Sequence, residues 1–199
     1  MAIPLDPGIG GRSVGGTALA MGDLLVSTTP DRLTSLPIRI GTGSPVSHAR
    51  LYIGSGQVVE AVGSGVVLAQ LSDAIRHDSL CVAYRVPNLN TVQAQMARDF
   101  AGMQLGRRYN YVGIGGHAAR IVFTIFHPIT GWIIGRNNLD RAGQSFNRED
   151  QFFCSQLVLA AFVHAGIRLT TTEPSWNTPG DVANLRLRGS LEYVGHLRA

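Results

Sequence analysis

The sequence has no lysine; all 17 of its basic residues are arginine. Compositional bias is the favoured explanation of that usage, and a partner-binding role the other. Arginine grips phosphate and carboxylate with two donors where lysine acts as a point charge. The formal charge of +4 therefore fits an anionic partner such as a phospholipid surface or an acidic wall polymer. No basic helix or aromatic stacking ladder accompanies the charge, so nucleic acid is not an expected partner. Cysteine is scarce as well. Cys81 and Cys154 are too few for a disulfide framework, which leaves a thiol available for chemistry. Their pairing with each other is the lesser alternative. Long hydrophobic runs are also missing. The most apolar stretch, residues 111–134, is broken by His117, Arg120, His127 and Pro128, and is poor material for a spanning helix. The N-terminus has no charged leader before an apolar core, so no signal peptide is expected. The chain is expected to be cytoplasmic as made. No cluster of His, Cys, Asp or Glu has metal-ligand spacing, so neither metal nor cofactor is expected. The glycine clusters at 8–11 and 113–116 have no Lys-Ser/Thr behind them, which rules out a phosphate loop.

What is present suits one globular domain over 1–199. Hydrophobic residues make up 45% and charged residues 15%, enough apolar material to bury a core. Residues 1–20 read as an irregular lead-in and 31–43 as holding a short helix. Leu24-Leu25-Val26 reads as a strand. Residues 46–53 alternate, with Ala49, Leu51 and Ile53 on one face and His48, Arg50 and Tyr52 on the other. Gly54-Ser55-Gly56 is a turn signal, and Gln57 to Val62 is the return strand of a hairpin with a three-residue loop. A short segment near residues 71–75 precedes another strand at 80–85. Val92, Met96, Phe100 and Met103 are spaced as the buried stripe of a helix that Gly106 stops. A second helix runs from about 152 to 165. Phe153, Leu157, Val158, Ala161, Phe162 and Ala165 form its stripe, with Gly166 as its stop. Thr178-Pro179-Gly180-Asp181 reads as a turn, and the tail near 191–194 as a last strand. The order of elements is that of an α+β domain.

The hairpin brings chemistry together. A three-residue loop pairs Ile53 with Gln57, so Arg50 faces Glu60 and His48 is the diagonal neighbour of Glu60 on the same face. A one-residue change in the loop would send Glu60 to the opposite face from His48. A carboxylate that engages one imidazole nitrogen fixes the tautomer and frees the other nitrogen for proton transfer. The alternative is that Glu60 simply pairs with Arg50. Cys154 lies near the start of the second helix, where the helix terminus lowers a thiol pKa and favours the nucleophilic thiolate. The alternative there is an inert buried cysteine, or a longer helix capped by Asn147 that places Cys154 in the second turn. Cys81, in an apolar strand, reads as core. His164 reads as structural or solvent-facing.

The stretch Thr42-Gly43-Ser44-Pro45-Val46-Ser47-His48-Ala49, continued by Leu51-Tyr52-Ile53-Gly54, resembles the permuted branch of the papain-like NlpC/P60 superfamily. So do Val59-Glu60-Ala61-Val62-Gly63 and Phe152-Phe153-Cys154-Ser155-Gln156-Leu157-Val158. Gly22-Asp23-Leu24-Leu25 and Thr178-Pro179-Gly180-Asp181 look like further recurring pieces. The chain is most similar to the YiiX/YebB-type cysteine hydrolases and more distantly to the lecithin:retinol acyltransferase type. The matching pieces span residues 22–181 and cover about a third of the positions. The resemblance implies a circularly permuted papain-like fold, with a small antiparallel sheet packed on helices. It also implies a mechanism in which Cys154 attacks a carbonyl, His48 takes its proton and Glu60 orients His48. The N–H of Cys154 and a second donor, with Tyr109 or Tyr111 as candidates, would hold the oxyanion. The apolar insert at 112–136, with Trp132 between Arg120 and Arg136, suits a membrane interface, a core contact or a dimer contact.

Three functions follow as expectations. The first is a thiol hydrolase or acyltransferase acting on a lipid ester, the favoured substrate. The second is a cell-wall peptide amidase or endopeptidase. The third is a non-catalytic module binding membrane or protein. For the two enzymes, a secreted antibacterial toxin blocked by an immunity protein is a setting suggested by analogy.

Overall fold

The computed structural model describes residues 11–28, 44–110 and 151–198. The short helix expected at 31–43, the insert at 112–136, Tyr111 and the Asn147 cap lie outside them. In chain order the elements are β1 (Ser13–Val14), β2 (Leu24–Thr28), β3 (His48–Gly54), β4 (Gln57–Val62), β5 (Gly65–Gln70), α1 (Leu71–Ile75), β6 (Leu80–Arg85), α2 (Thr91–Met103), β7 (Arg108–Tyr109), β8 (Gln151–Phe152), α3 (Cys154–His164), α4 (Pro179–Asn184) and β9 (Glu192–Leu197). Among the described residues β1-β9-β6-β2-β3-β4-β5 form one sheet, and β7 and β8 pair separately. Only the β1–β9 pairing in the large sheet is parallel. The molecule is α+β, as the order of elements predicts.

The two sheet faces bury different partners. Leu24, Val26, Ala49, Leu51, Val59 and Val82 pack with α2 and α3 through Ala97, Ala101, Leu157, Val158 and Phe162. Leu25, Tyr52, Val58, Cys81 and Ala83 pack on the other face with Leu71 and Ile75 of α1. Leu157 and Phe162 are fully buried, and burying side chains of this size contributes roughly 1.5–3 kcal/mol each.

Three expectations are corrected here. The helix at 91–103 exists, with Asn90 and Gln93 forming its capping box, but its buried face is Ala94, Ala97 and Ala101. Val92 and Met103 are each 64% exposed, and only Phe100 of the expected stripe packs on the core. The alanines let α2 approach closely, and larger side chains are displaced to its flanks. Thr178-Pro179-Gly180-Asp181 is the capped start of α4 rather than a free turn. Thr178 Oγ1 accepts from the Asp181 N–H, and Asp181 Oδ2 accepts from the Thr178 N–H. A Cβ on Gly180 would lie 2.6 Å from Ser44, so glycine lets α4 seat against the segment entering β3. Finally, β5 is a strand that the sequence pattern does not announce. Its run Val66-Val67-Leu68-Ala69 has no clear alternation, and it forms the sheet edge.

The hairpin differs in detail and agrees in consequence. Its turn is Ser55-Gly56, both with positive φ, and Gly54 pairs with Gln57. A register shift between Tyr52 and Gly54 absorbs the odd residue. The two-residue turn plus the bulge therefore sets the same register as a three-residue loop, and Arg50 faces Glu60.

Candidate active site

His48 is the first residue of β3, at the end of the sheet nearest the start of α3. Its Nε2 lies 2.6 Å from Glu60 Oε2 on β4. The diagonal pairing counted from the hairpin is thus present. Pairing with Arg50 occurs too: Arg50 Nε donates to the same Oε2 at 2.7 Å. The two readings of Glu60 are not alternatives, because one oxygen serves both cations.

Phe153 is extended, with φ −102° and ψ 166°, so α3 begins at Cys154. The strand β8 just before it rules out a continuous helix from Asn147. Cys154 therefore stands in the first turn, where backbone N–H groups have no intrahelical acceptor. Its thiol is buried and is hydrogen-bonded to His48 and to the N–H groups of Ala49 and Ser155. With Nε2 engaged by Glu60, Nδ1 is the ring nitrogen left to serve the sulfur.

Burial works against every charge here, and the partners reverse it. Burial would raise the Cys154 thiol, but the His48 hydrogen bond and charge, then the Ala49 and Ser155 N–H groups, bring it below its ordinary value. Burial and the Arg50 charge would lower His48, but bonds to Cys154 and Glu60 and the thiolate charge raise it to about 9. Burial would raise the Glu60 carboxyl, yet the His48 bond and charge, followed by Arg50, hold it at about 2. These shifts all favour the charged forms, a thiolate beside an imidazolium beside a carboxylate. That arrangement is capable of nucleophilic attack with a proton donor in place.

Other candidates fall elsewhere. Tyr109 pairs with Phe152 in register and packs half-buried on the main core. Burial pushes the Cys81 thiol up to about 12, and it is core as expected. His164 is exposed at the end of α3, its ring 4.9 Å from that of Phe100. Asp23, in the Gly22-Asp23 motif, is structural: it accepts from Arg85 Nε at 2.8 Å and Nη2 at 2.7 Å, tying β2 to β6. Sequence reasoning missed the Ala49 N–H as a donor to sulfur. It also missed Asp78, whose carboxylate reaches Arg50 from the loop after α1. No local pattern signals either contact.

The chain is 31% identical over 200 residues to the probable lipoprotein peptidase YaeF of Escherichia coli K12, a match covering 90% of this chain and 71% of that one. The chain belongs to the YiiX/YebB-type, NlpC/P60-like family. The crystal structure of metalloprotein YiiX from E. coli O157:H7 superposes with a TM-score of 0.52 at 23% identity, covering 75% of this chain and 68% of that one, and shares the fold. No family model matches the chain. Among the described residues no group of three His, Cys, Asp or Glu side chains is placed to hold a metal ion. Nor is any helix among them long and apolar enough to cross a membrane.

Proposed function

We propose that the chain is a cysteine hydrolase of permuted papain-like type that cleaves an acyl bond through a thioester. The observation that carries this reading is the Cys154 thiol at the first turn of α3, bonded to an imidazole whose other nitrogen is held by Glu60. In the mechanism, the Cys154 thiolate attacks the substrate carbonyl carbon. Negative charge moves to the oxygen, which the Cys154 N–H at the start of α3 and a second donor stabilise. The bond to the leaving group breaks as His48 Nδ1 gives that group its proton, and a thioester to Cys154 remains. Water then attacks the thioester while His48 takes a proton from it. The acid is released and the thiolate–imidazolium pair returns.

Two substrate classes fit this chemistry. The peptide or amide bond has the support of the E. coli relative, described as a probable lipoprotein peptidase. The lipid ester rests on the arginine-only basic charge, the likeness to acyltransferases and the apolar insert, the last of which lies outside the described residues. Wild type and Cys154→Ala are incubated with cell-wall fragments and, separately, with phospholipid vesicles, and products are read by mass spectrometry. Peptide released by wild type only assigns an amidase or endopeptidase. Lysolipid or fatty acid released by wild type only assigns the lipid ester. A product formed equally by Cys154→Ala overturns the thiol mechanism.

A further inference from the structure

Glu60 is not alone with His48. Arg50 is 3% exposed and spends its donors on fixed partners. Nε donates to Glu60 Oε2 at 2.7 Å, Nη1 to Ser27 Oγ and Asp78 Oδ2 at 2.7 Å each, and Nη2 to the Ala74 carbonyl at 2.7 Å. These partners come from β2, β4, α1 and the loop after α1, so the guanidinium cannot turn away without breaking several buried bonds. The oxygen it addresses is the one His48 Nε2 addresses at 2.6 Å.

Resting on the proposed thiol mechanism, we infer that Arg50 is a positioning residue that divides the charge of Glu60 Oε2 with His48, so that the imidazolium gives up its proton to the leaving group. A carboxylate facing Nε2 alone would stabilise the imidazolium more strongly and make His48 Nδ1 a weaker acid. A fixed second cation on the same oxygen limits that grip and keeps the carboxylate ionised, so Glu60 orients His48 without taking its proton. The groups facing His48 are Arg50 on its own strand, Glu60 on β4 and Cys154 on α3. Those facing Arg50 are Glu60, Asp78 and Cys81.

The test follows the ring C–H signals of His48 by NMR across pH, with the alkylation rate of Cys154 measured in parallel. Wild type is compared with Arg50→Met, Arg50→Lys and the double variant Arg50→Met with Asp78→Asn. The double variant removes the buried aspartate left without its cation and keeps the test open if Arg50→Met does not fold. The His48 titration is expected to move up by roughly one unit in both methionine variants, and to return towards wild type in Arg50→Lys. An unmoved or lowered titration in the folded methionine variants overturns the inference. A shift in Arg50→Lys equal to that in Arg50→Met also overturns it, since the cation's charge would then not be what acts. A wild-type Cys154 that alkylates as an ordinary thiol overturns the mechanism itself. An acidic Cys154 with an unmoved His48 overturns Arg50's role alone.

Discussion

At the residue scale the site depends on one carboxylate oxygen. Glu60→Gln keeps an acceptor and removes the charge that raises His48. The folded His48 pKa should fall from about 9 towards 6.5, and the thiolate loses its cation as pH rises through that interval. The wild-type profile of kcat/KM should rise on its acid side below the ordinary thiol value of 9 and fall on its alkaline side near 9. In Glu60→Gln the alkaline limb should move to lower pH, with a rate loss of about 10²-fold or more on the plateau. An alkaline limb that stays in place would show that Glu60 does not hold the imidazolium. His48 and Glu60 were legible in the sequence because hairpin register is arithmetic: alternation fixes the face and the turn fixes the partner. The rest of the network was not. Ser27, Ala74 and Asp78 reach Arg50 from segments whose spacing to it follows from the sheet order. No sequence periodicity reports that order.

At the element scale, α2 carries the plainest lesson. Periodicity finds the helix, because several apolar stripes are compatible with 3.6 residues per turn. It favoured the stripe with the largest side chains, whereas packing against α3 selected the smallest. The consequence is measurable by denaturant unfolding. Ala97→Leu places a large side chain where none is exposed and should cost about 1–3 kcal/mol. Val92→Lys, on the exposed flank, should change stability by less than about 0.5 kcal/mol. Equal costs at the two positions would contradict the assignment of the buried face. The helix α3 was read correctly because its stripe and its apolar character coincide: Cys154 to Leu159, Ala161 and Phe162 are all buried. Its start was left open by sequence because Phe153 offers no capping side chain. The extended Phe153 backbone, with its N–H donating to Gln156 Oε1 at 3.4 Å, decides it.

At the scale of the whole molecule, the groups of the proposed mechanism come from two places on the chain. His48 and Glu60 belong to one hairpin closed by a short turn, while Cys154 lies far along the chain on a helix packed over the opposite face of the sheet. Contacts between such distant segments are slow to form, because closing a long loop precedes any reward. In the unfolded chain Cys154 is an ordinary thiol, protonated at neutral pH and slow to alkylate. It acquires an acidic thiol only when α3 docks beside β3. During refolding, rapid alkylation of Cys154 at neutral pH should therefore appear late, after the hairpin has formed. In the proposed mechanism the nucleophile is thus its own maturation signal: a nascent or misassembled chain carries a dormant sulfur, and reactivity arrives with the finished architecture.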